Sequence, residues 1–287
     1  MSESIRALLA HGKRELAQHE ISDVDAELLL AHIMKISRMQ LHANPKVESD
    51  HELDRISTEF KDVITARISG LPTQYIIGEA PFRYLMLDVG EGVLIPRPET
   101  ESLVELVLSE ARQRAGALTI VDLGSGTGAI ALSLATELSH RSYLDIYAVE
   151  KEDAALYWLN RNCKKVGGSV KVIHAAARDA LFGAPIEGHV DIVVANPPYI
   201  PSNQFLPLDV THEPESALFG GADDGMEIPR EFIAAGTRLL KPGGFFACEH
   251  HESQGPLFAA ELSEDFAQIH LHHDLTGRPR FSTAVKC

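Results

Sequence analysis

The sequence predicts an α/β protein, a parallel sheet covered by helices on both faces, preceded by a small all-helical domain. Two observations carry this. From Leu118 onward short apolar runs alternate with stretches of helical period, and the first such run leads through Gly124-Ser125-Gly126-Thr127-Gly128 directly into a helix. Before Gly70, in contrast, apolar residues recur only at helical spacing, as in Ile5, Leu8, Leu9 and Leu16, then Val24, Leu28, Leu29 and Ile33.

Taken in order, the N-terminal stretch is a helical bundle with charged outer faces and no pattern that suggests chemistry. Ser22 and Asp23 are suited to cap its second helix, Asn44-Pro45 breaks the pattern, and a charged helix follows from about Ser49 to Ser69. Two short apolar runs at 84–89 and 93–95, separated by Gly90-Glu91-Gly92, predict a hairpin within a linker at 77–98. Pro96 and Pro98 end its second strand, and a helix resumes over 99–112. Strands are then expected at 118–123, 143–149, 170–174, 190–195 and 245–249, with helices at 129–138, 153–166 and about 227–240. A sheet of this kind holds ligands at the carboxyl ends of its strands.

The 287 residues with 45% hydrophobic content suffice for one full core and a smaller second unit. Residues 1–10 lack the long apolar centre of a signal peptide, and no run reaches membrane-spanning length. The three cysteines are far apart and form no CxxC pair, so neither a disulfide framework nor a zinc knuckle is expected, and a reducing cytoplasm fits best. With 26 Lys and Arg against 41 Asp and Glu, the net charge of −15 argues against a nucleic-acid partner.

Alternate glycines in the 124–128 loop let the backbone turn sharply and approach a ligand, which the following helix N-terminus meets with free N–H groups. Glu150, at the end of the next strand, is placed to accept the hydroxyls of a ribose. Dehydrogenases carry their third glycine one place later, so the spacing favours S-adenosylmethionine over NAD. Asp179, in the loop after the third strand, is a candidate for the adenine edge.

Asn196-Pro197-Pro198-Tyr199 stands where the strand at 190–195 leaves the sheet. Two prolines there cannot extend a central strand. An amide or ring amine is a poor nucleophile because its lone pair is delocalised. The Asn196 side-chain carbonyl and the Pro197 backbone carbonyl can each accept one N–H of such an NH₂ group, which favours a pyramidal nitrogen. Proline aims its carbonyl in advance, and Tyr199 supplies a flat face. The pattern points to methyl transfer onto a planar amide-type nitrogen.

DLGSGTG followed by NPPY, with GVLIPRPETE at 92–101 before them, resembles the HemK/PrmC family of methyltransferases that modify glutamine in peptide chain release factors. The likeness spans nearly the whole chain. It implies a class I S-adenosylmethionine-dependent (Rossmann-like) methyltransferase domain at 99–287, a hairpin linker at 77–98 and a helical substrate-recognition domain at 1–76. The implied substrate is the GGQ glutamine of class I release factors, held by Asn196, Pro197, Pro198 and Tyr199. Gly124, Ser125, Gly126, Thr127, Gly128, Glu150 and Asn196 would hold the cofactor, with Asp179 and Ala180 over its adenine.

By the same resemblance Arg97 and Glu99 would lie at the substrate entrance, although an ion pair pinning the linker explains them equally well. A sister family acting on a ribosomal protein typically has PRSP where this chain has PRPE. Two departures stand out: Thr211-His212-Glu213-Pro214 where the family has Arg-Phe-Glu-Pro, and Glu249-His250-His251 in place of Glu-His-Gly. The paired histidines at 250–251 and 272–273 would project to opposite faces of a strand, so no metal is expected. An adenine-amine DNA or RNA methyltransferase shares NPPY but needs a basic groove, and here basic clusters do not exceed pairs such as Lys164-Lys165. A non-catalytic module would need a damaged loop or NPPY, and both are intact.

Overall fold

The computed structural model describes residues 4–43, 45 and 47–287. Asn44, half of the expected Asn44-Pro45 break, lies outside the described residues. The chain forms two compact units, one of residues up to Glu79 together with Leu206–His212, the other of Ala80–Phe205 and Glu213–Cys287.

The first unit contains helices α1 (Ile5–Gln18), α2 (Asp23–Met34), α3 (Arg38–His42), α4 (Asp50–Ile68) and α5 (Thr73–Ile77). Serine caps four of them: the hydroxyls of Ser4, Ser22, Ser37 and Ser49 each accept a first-turn N–H that has no partner inside its helix. Asp23 is therefore the first residue of α2, beside the Ser22 cap, where its charge complements the helix dipole. Leu8, Leu16, Leu29, Leu30, Ile56 and Phe60 form the dry centre of this unit. Glu27 is buried yet ionised, because Lys13, Arg38 and His42 surround it; the Lys13 hydrogen bond is the main cause of a carboxyl pKa lowered to about 2. Arg67 bonds Asp25 at 2.7 Å and Asp209 at 3.2 Å, tying 206–212 to the helices.

The second unit begins with a hairpin of β1 (Glu79–Phe82) and β2 (Leu85–Asp88). This corrects the expected register: the turn is at Arg83-Tyr84, and 93–95 is not a strand. The reason lies in Gly90-Glu91-Gly92, which turns the chain without joining two strands and whose glycines also allow a close approach. A side chain at Gly90 would meet Trp158 at 2.4 Å, and Trp158 donates its indole N–H to the Glu91 carbonyl at 3.1 Å.

After the hairpin come α6 (Thr100–Gln113), β3 (Leu118–Leu123), α7 (Ala129–Glu137), β4 (Leu144–Glu150), α8 (Asp153–Val166), β5 (Val170–His174), β6 (Val190–Ala195), α9 (Glu227–Leu239), β7 (Leu240–Glu249), α10 (Gly255–Leu262), β8 (Phe266–His273) and β9 (Pro279–Lys286). They build a seven-stranded sheet in the order β5-β4-β3-β6-β7-β9-β8. The five expected strands are parallel. β9 runs antiparallel to β7, and β8 antiparallel to β9, so the sheet is mixed, an edge the sequence reading did not foresee.

Alternation along the central strands feeds two cores. Ile120, Ile192 and Val194 face α6, α7 and α8, whereas Val121, Val193 and Phe246 face α9 and α10. Strand order reverses at β3, which pairs with β4 on one side and β6 on the other. The crevice at their carboxyl ends is where a doubly wound sheet binds its ligand. Among the described residues no helix is long and apolar enough to cross a membrane.

Candidate active site

At that crevice lies a cavity of about 280 Å³, lined by the loop after β3, the ends of β4 and β6, and the segment before α6. Gly124, Gly126 and Gly128 all have positive φ, so the loop curls tightly and delivers Gly128 as the N-cap of α7. Space beside Gly126 is open: a side chain there would meet only Val93, at 3.9 Å. The Glu150 carboxylate accepts from the backbone N–H groups of Gly126 at 2.8 Å, Lys151 at 2.8 Å and Glu152 at 2.9 Å. One oxygen takes two of these and the other takes one, which leaves acceptor capacity on the carboxylate for a hydroxyl.

Beneath the loop, burial pushes the Asp122 carboxyl up to about 7. One of its oxygens accepts the Ala131 N–H at 3.1 Å, and the other is buried with no partner among the described residues.

Asn196 and Pro198 line the cavity. The Asn196 Nδ2 donates to the Thr100 hydroxyl at 3.1 Å, so its carbonyl oxygen remains the free acceptor. Thr100 in turn donates to Glu249 at 2.7 Å, and the Tyr199 hydroxyl donates to the other Glu249 oxygen at 3.0 Å. Burial, reinforced by the Glu249 charge, holds the Tyr199 phenol well above its ordinary value, so it stays a donor. Gln254 braces the same turn, donating its amide to the Tyr199 carbonyl at 2.9 Å and to the Asp224 carbonyl at 2.8 Å. The Pro197 carbonyl has no hydrogen bond to a described residue.

The structure thus brings Gly124, Ser125, Gly126, Thr127, Glu150, Asn196, Pro198 and Arg97 around one cavity. Gly128, Pro197, Tyr199 and Glu99 adjoin it in sequence without lining it. Asp179 and Ala180 are not brought in. The Asp179 side chain is 69% exposed and pairs with Arg178, while Ala180 is buried with its carbonyl bonded by Arg238 at 2.7 Å. The preceding residues, Ala175 to Arg178, form that wall instead.

Arg97 forms an ion pair with the buried Glu213, whose other oxygen accepts the Ile95 N–H at 2.9 Å. The pinning role weighed for Arg97 is therefore present, alongside its place in the cavity wall. Sequence reading noted Glu213 and Glu249 only as members of departing motifs and assigned nothing to Thr100. Among the described residues no group of three or more His, Cys, Asp or Glu is placed to hold a metal. His250 is engaged by Ser282 and the His251 carbonyl, and His272 by Thr283.

Residues 7–78 match the family described as PrmC N-terminal domain, and residues 100–213 match the methyltransferase small domain. A release factor glutamine methyltransferase of Mycolicibacterium smegmatis is 40% identical over 92% of this chain and 90% of its own. The chain belongs to the release factor glutamine methyltransferase family. A second member, from Streptomyces coelicolor, is 39% identical over 91% of this chain and 90% of its own. Among solved structures, the hMettl16 catalytic domain superimposes with a TM-score of 0.50 at 15% identity, covering 70% of this chain and 74% of that one, which bears on the fold alone.

In a release factor glutamine methyltransferase the methyl group comes from S-adenosylmethionine, and the cavity suits it. Val93, Ile130, Phe232 and Ala175 to Ala177 offer an apolar wall for an adenine ring. Glu150 offers a carboxylate for a ribose, and the glycine loop that leads into α7 is bonded to it through the Gly126 N–H.

Proposed function

We propose that this chain transfers a methyl group from S-adenosylmethionine to the side-chain amide nitrogen of the GGQ glutamine of class I peptide chain release factors. The observation that carries the reading is the fixed polarity of Asn196: with Nδ2 committed to Thr100, its carbonyl oxygen is left as the acceptor for a substrate.

S-adenosylmethionine supplies an electrophilic methyl group on a sulfonium. The protein's own part is positional. Asn196 Oδ1 and the Pro197 carbonyl each accept one N–H of the glutamine amide, draw the nitrogen toward a pyramidal shape and aim its lone pair. Because both acceptors are held before substrate arrives, little reorganisation is needed as charge develops on the nitrogen. Tyr199, braced by Glu249 and Gln254, lends the planar amide a flat neighbour. Glu150 and the loop residues 124–128 fix the cofactor. Pro198 closes the turn, and Arg97 and Glu99 stand toward the substrate entrance.

The helical domain at 1–76 would recognise the release factor, the linker at 77–98 would join it to the methyltransferase domain at 99–287, and the protein would work in the cytoplasm without direct nucleic-acid contact. The net charge of −15 suits a protein substrate better than a phosphate backbone.

The deciding experiment is mass spectrometry of a purified release factor after incubation with the protein and S-adenosylmethionine, beside a large-subunit ribosomal protein and a DNA duplex. One methyl on the GGQ glutamine is the expected result. Methylation of another partner alone keeps the chemistry and replaces the substrate.

A further inference from the structure

The Asn196 amide can meet an NH₂ group productively in only one of its two orientations, and nothing within Asn196 itself selects that orientation. With Oδ1 toward the substrate it accepts an N–H; with Nδ2 toward the substrate two donors face each other. The selection comes from its neighbours. An ionised carboxylate has no proton to give, so Glu249 accepts from both Thr100 and Tyr199. Thr100 has a single O–H, spent on Glu249, and can therefore only accept from Asn196, which must present Nδ2.

We propose that Thr100 and Glu249 are positioning residues for methyl transfer, a hydrogen-bond chain that sets which end of the Asn196 amide faces the substrate while anchoring Tyr199 through the other carboxylate oxygen. The proposal rests on the reading that Asn196 Oδ1 accepts the substrate amide. It assigns roles to two residues that lie 149 positions apart and meet because α6 begins and β7 ends at the same rim of the crevice.

The chain has a second state. A protonated Glu249 can donate to the Thr100 oxygen, which frees the Thr100 O–H to donate to Asn196 Oδ1 and turns the amide around. Burial pushes the Glu249 carboxyl up to about 7, against the pull of its bonds from Thr100 and Tyr199. The charged groups facing it oppose each other: Arg280 on β9 favours ionisation, whereas Glu99 ahead of α6 disfavours it. Arg97 pairs with Glu213 and acts on the neighbouring Tyr199, and the Cys248 thiol beside Glu249 is pushed well up by burial and stays neutral. Activity should therefore fall as pH drops through the neutral range.

The test is single-turnover methylation of a release factor across that range by the full-length protein and the variants Thr100→Val, Thr100→Ser, Glu249→Gln and Asn196→Ala, with S-adenosylmethionine affinity measured for each. Thr100→Val keeps the side-chain shape and should slow transfer about tenfold, the worth of one ordinary hydrogen bond at the upper end, with cofactor affinity unchanged. Thr100→Ser should recover most of the loss. The acid limb of the wild-type profile should vanish in Thr100→Val and in Glu249→Gln, which no purely structural role would produce.

A Thr100→Val rate equal to wild type, or an acid limb unchanged in both variants, overturns the proposal. If that occurs while Asn196→Ala is inactive, the positioning chain fails and the Asn196 reading stands. A fully active Asn196→Ala overturns both.

Discussion

The backbone N–H of Gly126 donates to the Glu150 carboxylate at 2.8 Å, joining the glycine loop after β3 to the acid that ends β4. The two parts of the cofactor motif, 24 residues apart in sequence, are one hydrogen-bonded object before any ligand arrives. Glu150→Ala removes the proposed ribose acceptor and releases the Gly126, Lys151 and Glu152 amides together. Hydrogen bonds to a charged group are worth roughly 1.5–3 kcal/mol, so S-adenosylmethionine affinity should fall by about tenfold or more. Calorimetric titration reads this directly, and wild-type affinity in the variant would remove Glu150 from the cofactor site.

Asn196→Ala tests the other half of the site. It deletes an acceptor needed most as the nitrogen pyramidalises, and a preorganised group of that kind is worth about a hundredfold in turnover. Cofactor binding should be nearly unchanged, since the Glu150 and loop contacts remain. A variant that loses cofactor affinity and turnover in parallel would show Asn196 to be part of the cofactor site alone.

What could be seen in the sequence tracks burial on both faces. β3 and β6 are apolar except at Thr119, Asp122 and Asp191 and are wholly or almost wholly buried, and their limits follow from composition. β8 has the sequence FAQIHLHH at the sheet edge, with only Phe266 fully buried, so no apolar run or clean alternation marks it. β9 begins with Pro279 and Arg280 and gains its place by pairing between β7 and β8. The hairpin was misplaced because Gly90-Glu91-Gly92 reads as a turn between strands, while the approach of Trp158 and Ala154 from α8 to its glycines is a tertiary fact. The chemistry-bearing motifs were legible because they are contiguous. Thr100 and Glu249 were not, because their meeting depends on where β7 sits.

Glu213 is a stability element as well as a wall of the site. It is 4% exposed, accepts the Ile95 N–H and pairs with Arg97. Glu213→Ala strands a buried donor and leaves Arg97, itself partly solvated, without its partner. The cost of an unsatisfied buried group is about 1–3 kcal/mol, and Arg97, being about a third exposed, adds little beyond it. Calorimetric melting should show a Tm several degrees lower. Glu213→Gln keeps an acceptor for Ile95 and should recover part of that loss, whereas equal losses for the two variants would assign the stability to the charge on Arg97 alone.

His250 provides a pH test independent of catalysis. Its ring is fully buried, giving its Nδ1–H to the His251 carbonyl at 2.8 Å and accepting the Ser282 hydroxyl at Nε2 at 2.9 Å, an arrangement that needs the neutral imidazole. Burial lowers its pKa from 6.5 to about 4. Between those values the unfolded chain takes up a proton that the folded chain refuses, so this residue reduces stability as pH falls through that window. Asp122 and Glu249, both raised to about 7, act in the opposite direction, because the folded state keeps protons that the unfolded chain releases. His250→Gln retains a donor and an acceptor and leaves those two carboxyls in place, so they cancel in a comparison with wild type. Denaturant unfolding at neutral pH and near pH 5 should show the wild-type advantage over His250→Gln shrinking by about 2 kcal/mol at the lower pH. Parallel curves would mean that the folded protein accepts a proton on His250 as readily as the unfolded chain does.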